Sequence, residues 1–126
     1  ETIADCFGAP TLPAILARLD AAAAAGSAFA AKLRQTLAVK SPTSVAIAFE
    51  QMRRGAGLDF AEAMRTEFRI VSRIAHGHDF YEGVRAVVID KDHAPHWQPA
   101  SLDDVDPGAI AAYFAPLGAA ELALES

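Results

Sequence analysis

The chain has 126 residues, which fits one domain, and its 52% apolar and 21% charged residues exclude a disordered tail. Its net charge of -5 argues against nucleic acid or an anionic membrane as a partner, and its apolar runs, such as Ala21 to Ala25, are too short to span a bilayer. The single cysteine, Cys6, excludes an internal disulfide and a cysteine-based zinc site, and it suits a reducing, cytoplasmic location.

The first two predicted helices occupy residues 11–26 and 27–40. Thr11 can cap the first helix, and Gly26 is a natural stop for it. Ser27 can cap the second helix. Apolar residues recur at helical spacing along both segments, so each helix is expected to bury one face.

The third and fourth predicted helices occupy residues 41–55 and 59–77. Ser41 can cap the third helix, with a proline at its first helical position. Asp59 can cap the fourth, and Glu62 three residues later completes a capping-box pattern. The fourth helix is expected to bury an apolar stripe formed by Phe60, Met64, Phe68, Val71 and Ala75.

The remaining elements are shorter. A fifth helix is expected to start at Asp79, and its β-branched end, residues 87–89, could be extended. Residues 93–100 contain two prolines and are expected to form an irregular strap anchored by Trp97. A last helix starts at Asp106. These elements predict an all-α fold of five to six short helices, without an internal repeat or linker.

Patterns that would indicate catalysis or metal binding are missing from the sequence. His76, His78, His93 and His96 do not follow the spacing of a zinc-binding helix, so we expect no metal site. The sequence also lacks a nucleophile elbow and a phosphate-binding loop. We therefore assign no catalytic residue to this chain.

The charged residues of the fourth helix could have either a functional or a structural role. Glu67 lies on the predicted apolar stripe, where a buried carboxylate could act as a general base or pair with Arg69, Arg73 or Arg85. We favour the ion pair, because no second catalytic group stands out. Arg65, Arg69 and Arg73 recur every four residues and could grip a phosphate, but a salt-bridged or solvated face is favoured.

Several stretches of the chain are specific enough to indicate a family. They are KSPTS at residues 40–44, EFR at 67–69, GHDFYEGVRAVVIDKD at 77–92, PHWQP at 95–99 and YFAPLG at 113–118. The whole set closely resembles the C-terminal part of the 3-hydroxyisobutyryl-CoA hydrolases, which belong to the crotonase (enoyl-CoA hydratase/isomerase) superfamily. The resemblance covers nearly the whole chain.

The resemblance implies that a parent protein hydrolyses an acyl-CoA thioester in valine breakdown. It also implies that the oxyanion hole and the catalytic carboxylates lie in an N-terminal core that is absent here, so Glu67 takes no catalytic role from it. In the superfamily, a basic residue near the end of the penultimate helix can approach the nucleotide of CoA. The matching position is Lys91, with Arg85 as a second candidate. This chain alone is expected to bind no cofactor.

The resemblance further implies that residues 1–126 form an excised C-terminal helical domain, which covers the active-site cleft and supports subunit contacts. The expected partners are the missing N-terminal crotonase-like core and further copies of the chain in a homo-oligomer. The chain starts with Glu1 and has its first methionine at Met52, which agrees with a piece of a longer protein. Two alternatives remain: a parent with enoyl-CoA hydratase or isomerase activity, and an independent helical interaction module.

Overall fold

The computed structural model describes residues 2–124 and confirms the all-α prediction, with seven α-helices and no strand among these residues. All six predicted helices are present, and α1 has no counterpart in the sequence prediction. No helix within the same residues combines the length and apolarity that a membrane span requires. The helices are α1 (Thr2–Phe7), α2 (Leu12–Ala24), α3 (Ala28–Ala38), α4 (Pro42–Gly55), α5 (Phe60–Ile74), α6 (His78–Val84) and α7 (Pro107–Ala112).

The first of two compact units, residues 1–40, is built from α1, α2 and α3. Both predicted caps form, because Thr11 Oγ1 accepts the N–H of Ala14 and Ser27 Oγ accepts that of Ala30. Gly26 adopts a φ of 101°, which allows the chain to reverse between α2 and α3. The buried side chains of this unit are small to medium in size: Cys6, Ala9, Ile15, Leu19 and Ala30.

The second unit, residues 41–126, contains α4 to α7 and one hydrophobic cluster. Ser41 caps α4 as predicted, accepting the N–H of Ser44. The guanidinium of Arg54, in the last turn of α4, lies 4.4 Å from the centroid of the Phe114 ring and makes a cation–π contact. The hydrophobic cluster joins α4, α5 and the segment from α7 onward. Its buried residues are Ile47, Ile70, Ile110 and Phe114.

The buried face of α5 differs from the predicted stripe. Thr66 and Ile70 are buried, whereas Phe60 is 81% exposed and Val71 is 55% exposed. The predicted stripe is therefore wrong at most of its positions. Helical periodicity identifies apolar faces, but α5 has two adjacent ones, and among residues 2–124 the face with Ile70 is the one that packs into the hydrophobic cluster.

The same rotation of α5 decides the position of Glu67. This side chain is exposed, and its carboxylate accepts a hydrogen bond from Gln51 Nε2 at 2.5 Å. The buried ion pair favoured from the sequence is therefore wrong, and a buried general base is excluded as well. Glu67 lies on the apolar side of the helix, as its spacing predicts, and Met64 and Val71 on that side are exposed.

The arginines of α5 form a salt-bridged face, which was the favoured alternative. Arg69 Nε lies 3.0 Å from both oxygens of the Glu121 carboxylate. Arg73 Nη1 donates to the carbonyl oxygen of Tyr113 at 2.9 Å. Arg65 pairs with Glu62 within α5. Two of the three arginines thus attach the segment after α7 to α5.

The region after α5 departs from the sequence prediction in two details. Gly77, rather than Asp79, occupies the cap position of α6, and Asp79 lies in the first turn. Residues 85–89 form a π-helical turn, so the extended conformation considered for residues 87–89 is wrong. The backbone of residues 93–97 is irregular, which confirms that part of the predicted strap. The Trp97 ring lies close to Gly83 on α6, since its Cη2 atom would be in van der Waals contact, at 3.5 Å, with a Cβ atom placed at that glycine.

Replacement of Asp59 tests the cap of α5. Asp59 Oδ1 accepts the N–H of Glu62 at 2.8 Å, so Asp59→Ala is expected to lower the free energy of unfolding by about 1 kcal/mol. Glu67→Ala is the matched control, because it removes an exposed carboxylate from the same helix and should change stability by less than about 0.5 kcal/mol. Urea unfolding followed by circular dichroism measures both. Equal losses in the two variants would contradict the cap assignment.

Candidate functional site

An arginine cluster at the end of α6 and in the turn after it contains Arg85, one of the two residues predicted to bind a cofactor, and the other predicted residue, Lys91, lies between two of its acids in the sequence. We define it as Arg85 with Glu82, Asp90 and Asp92. Arg85 Nε and Nη2 donate to the two oxygens of Glu82 at 2.8 and 2.7 Å. Its Nη1 donates to Asp90 at 2.8 Å and to Asp92 at 2.7 Å. Arg85 therefore neutralises part of a dense group of carboxylates.

Glu82 of the cluster and Asp79, both on α6, hold the strap, residues 93–100, against this helix. Glu82 Oε2 accepts the N–H of His96 at 2.8 Å, and Asp79 Oδ1 accepts the N–H of Gln98 at 2.9 Å. Asp79 and Glu82 are three residues apart on α6, so their side chains lie on one side of the helix. The strap is thus fastened to α6 at two successive points.

Electrostatic effects are strong in the arginine cluster. Hydrogen bonds from Arg85, supported by the N–H of His96, lower the pKa of Glu82 to about 2. Arg85 also lowers the pKa of Asp92, with help from the N–H of Ala94. The carboxylates in turn raise the pKa of Arg85 above its ordinary value. The ionised forms of Glu82, Asp92 and Arg85 are therefore each stabilised by their partners.

Lys91 lies in the turn between the π-helical segment and the strap, and its side chain is exposed. Its φ of 56° places it in the left-handed region, which non-glycine residues rarely adopt. Within residues 2–124, the Lys91 ammonium has no hydrogen-bond or ion-pair partner, because the neighbouring carboxylates of Asp90 and Asp92 bind Arg85. The structure therefore brings the two predicted residues together but gives them different surroundings. Their binding of a cofactor stays a prediction.

A second polar group lines a cavity of about 190 Å³ near the starts of α4 and α6. Asp79 Oδ2 accepts the hydroxyl of Ser41 at 2.5 Å, and Asp79 Oδ1 lies 2.9 Å from Nδ1 of His78. In a serine hydrolase the histidine lies between serine and carboxylate, whereas here the carboxylate lies in the middle. This order leaves Ser41 without a histidine base and suits a structural link between α4 and α6.

Sequence reasoning missed this second group. Ser41 and Asp79 both lie in the segments that carry the family resemblance, but each was interpreted as the cap of its own helix. Their separation of 38 positions gives no local signal that the two side chains meet. Among residues 2–124, no three histidine, cysteine, aspartate or glutamate side chains are grouped as a metal site would require.

Comparison with known proteins confirms the family indicated by the sequence. Residues 1–114 match the family model described as Enoyl-CoA hydratase/isomerase, and the chain belongs to this family. An enoyl-CoA hydratase crystal structure from Rhodobacter sphaeroides superposes on 92% of the chain with a TM-score of 0.82 and 36% sequence identity. The superposed part makes up 34% of that hydratase chain.

The curated relatives that match include two proteins named 3-hydroxyisobutyryl-CoA hydrolase, mitochondrial. The Xenopus laevis protein is 46% identical over 79% of this chain, and the Xenopus tropicalis protein is 40% identical over 98%. These matches cover 26% and 31% of the two relatives, so the chain spans between a quarter and a third of their length. The names of these relatives contradict the expected cytoplasmic location and point to mitochondria instead. The cytoplasmic expectation was based on the single cysteine. A chain without an internal disulfide suits any reducing compartment, so this feature does not distinguish one such compartment from another.

The depressed pKa of Glu82 predicts a pH dependence for the cluster. A carboxylate whose folded pKa lies below its unfolded value stabilises the fold above the unfolded pKa, and this contribution is lost as pH falls through the folded pKa. With a folded pKa of about 2 against an ordinary value of 4.5, the loss occurs between about pH 5 and about pH 2. Glu82→Gln should therefore give a shallower decline of thermal stability in that window than the unchanged protein.

Glu67→Gln provides the control for this experiment, because it removes an exposed carboxylate that lies outside the arginine cluster. Melting curves by circular dichroism at successive pH values measure all three proteins. A Glu82→Gln variant that declines as steeply as the Glu67→Gln variant would show that Glu82 is not part of the acid-sensitive contacts.

Proposed function

We propose that residues 1–126 are the C-terminal helical domain of a 3-hydroxyisobutyryl-CoA hydrolase-like enzyme. The observation that carries the proposal is sequence similarity that extends over nearly the whole chain while covering less than a third of the relatives. The remaining part of such an enzyme supplies the N-terminal crotonase-like core. The parent enzyme hydrolyses an acyl-CoA thioester in valine catabolism, and the present domain covers its active-site cleft and supports its subunit contacts.

Exposed apolar side chains of the second unit support the role as a covering domain. Soluble monomers rarely expose large contiguous apolar patches, so surfaces of this kind usually meet a partner. One such surface is on α5, and another is the π-helical turn that follows α6. The exposed side chains are Phe60, Met64 and Val71 on α5, and Val87, Val88 and Ile89 in the turn.

The chemistry of thioester hydrolysis divides between the two parts of the proposed enzyme. An oxyanion hole stabilises the developing charge on the thioester oxygen, and a carboxylate assists the attack of water. Both come from the N-terminal core. This chain contributes Lys91, whose exposed ammonium is suited to a phosphate of the CoA nucleotide. The domain therefore binds and encloses the substrate but carries no reacting group.

A parent with hydratase activity is the second candidate, because an enoyl-CoA hydratase superposes closely on this chain. The two candidates differ in the bond that is broken. A hydrolase releases free CoA from 3-hydroxyisobutyryl-CoA, whereas a hydratase adds water to an enoyl-CoA and keeps the thioester intact. A thiol reagent detects only the first reaction, and ultraviolet absorbance of the enoyl thioester detects the second.

We expect the full-length protein that contains this chain to release CoA from 3-hydroxyisobutyryl-CoA, and residues 1–126 alone to release none. The reason is that the catalytic groups lie outside this chain in the proposed enzyme. Thiol detection on both purified proteins measures the difference. Enoyl-CoA hydration by the full-length protein without thiol release would favour the hydratase, and release of CoA by residues 1–126 would contradict the division of roles.

The apolar surface of α5 leads to a further expected outcome. Residues 1–126 alone should self-associate, because Phe60 is 81% exposed and the proposed core that covers it is missing. Phe60→Glu should reduce the average mass in sedimentation velocity experiments, whereas Glu67→Gln on the same helix should not. Monomeric behaviour of the unchanged chain at about 100 µM would argue against this surface as a contact site.

A further inference from the structure

We propose that Arg85 is a positioning residue for Lys91 and not itself a ligand of CoA. This inference rests on the proposed function, in which Lys91 meets the CoA nucleotide. In it, Arg85 binds the carboxylates on both sides of Lys91 and fixes the turn, so that the Lys91 ammonium is available to an anionic group of the ligand.

The first argument is the number of donors on Arg85. A guanidinium has five N–H groups, one on Nε and two on each Nη nitrogen. In this structure Nε makes one hydrogen bond, to Glu82. Nη1 makes two, to Asp90 and Asp92, and Nη2 makes two, to Glu82 and to the carbonyl oxygen of Ala94. All five donors are in use, so a phosphate could bind Arg85 only by displacing a carboxylate or the carbonyl group.

The second argument is the direction of the two neighbouring carboxylates. Asp90 and Asp92 flank Lys91 in the sequence and are the acids most able to neutralise its ammonium. Both place an oxygen within 2.8 Å of Arg85 Nη1, and neither pairs with Lys91. Among residues 2–124, a phosphate that approaches Lys91 therefore has no competing carboxylate to displace from it.

The third argument is the backbone of the turn. Lys91 and His93 have φ values of 56° and 53°, and non-glycine residues hold such angles only where their surroundings impose them. The imposing contacts start from Arg85 and its neighbour: Asp90 N–H donates to the carbonyl oxygen of Arg85, and His93 N–H donates to that of Ala86. The side-chain bond from Arg85 to Asp92 holds the middle of the turn. The two backbone bonds do not involve the Arg85 side chain, so its contribution to the turn around Lys91 consists of the bonds to Asp90 and Asp92.

A double-mutant cycle in the full-length protein tests the proposed dependence of Lys91 on Arg85. The variants are Lys91→Met, Arg85→Gln and the two combined, and the measurements are inhibition by free CoA and the KM and kcat for the CoA thioester. Pantetheine, which lacks the nucleotide, is the control inhibitor. Loss of one charge-assisted contact is expected to weaken inhibition by CoA about tenfold.

The inference predicts that each single change weakens inhibition by CoA about tenfold, and that the double variant loses no more inhibition than either single variant. The effect should lie in KM more than in kcat, and inhibition by pantetheine should not change. Multiplied losses of about a hundredfold in the double variant would mean that Arg85 binds the nucleotide independently, which overturns the inference but leaves the proposed function intact. Equal weakening of CoA and pantetheine would also overturn it, because that result indicates general structural damage.

An absence of any effect of Lys91→Met would remove the nucleotide contact from the proposed function, and the inference would fail with it. If Arg85→Gln does not fold, Glu82→Gln gives a separate test. In our proposal, loosening the cluster through Glu82→Gln weakens inhibition by CoA. If the change instead released Arg85 to bind the phosphate directly, inhibition by CoA would become stronger, and this result would overturn the inference. Glu67→Gln, which removes the same charge outside the cluster, is the matched control and should leave CoA inhibition at the level of the unchanged protein.

Discussion

The ion pairs of Arg85 are the interaction on which the region after α6 depends. Glu82, Asp90 and Asp92 lie close together in sequence, and three unpaired carboxylates in such a short stretch would repel one another. Placing one guanidinium between them converts the repulsion into attraction. Asp79 complements this arrangement one turn earlier on α6, since its two oxygens bind Ser41 and the strap. Polar side chains on a short helix therefore organise an irregular segment that has little regular backbone pairing of its own.

Most of the helices could be predicted from the sequence, because their signals are local. The caps at Thr11, Ser27, Ser41, Asp59 and Asp106 all accept a backbone N–H in the structure. Local signals failed where a side chain binds a partner other than the one that the capping pattern implies. Asp79 resembles a cap, but its carboxylate binds Ser41, and Glu62 resembles the second half of a capping box, but its carboxylate pairs with Arg65. A capping pattern specifies which residues can bond, and the other partners within reach, on the same helix or in the tertiary structure, decide which bonds form.

The orientation of α5 was beyond local prediction for a different reason. Two apolar faces lie side by side on this helix, and periodicity does not rank them. Ile70 faces the cluster with Ile47 and Phe114, while Phe60 and Val71 face outward. Which of the two faces is buried depends on the surfaces that pack against α5, and in the proposed enzyme part of that surface belongs to the N-terminal core. The candidate site is similar in this respect. The family resemblance identified Lys91 and Arg85, but only the geometry distinguishes an exposed ammonium from a saturated guanidinium.

The sequence separation of these contacts bears on the order in which the second unit can assemble. The bonds that fasten the strap to α6 join residues 14 and 19 positions apart, whereas the Ser41 link to α6 spans 38 and the Arg69 pair with Glu121 spans 52. Short loops close at lower entropic cost and are favoured early in folding. We therefore expect α6 and the strap to act as a locally formed hairpin, onto which α4 and the segment after α7 dock later. In a protein synthesised from its amino end, this hairpin can form before the last residues of the chain are available to bind α5.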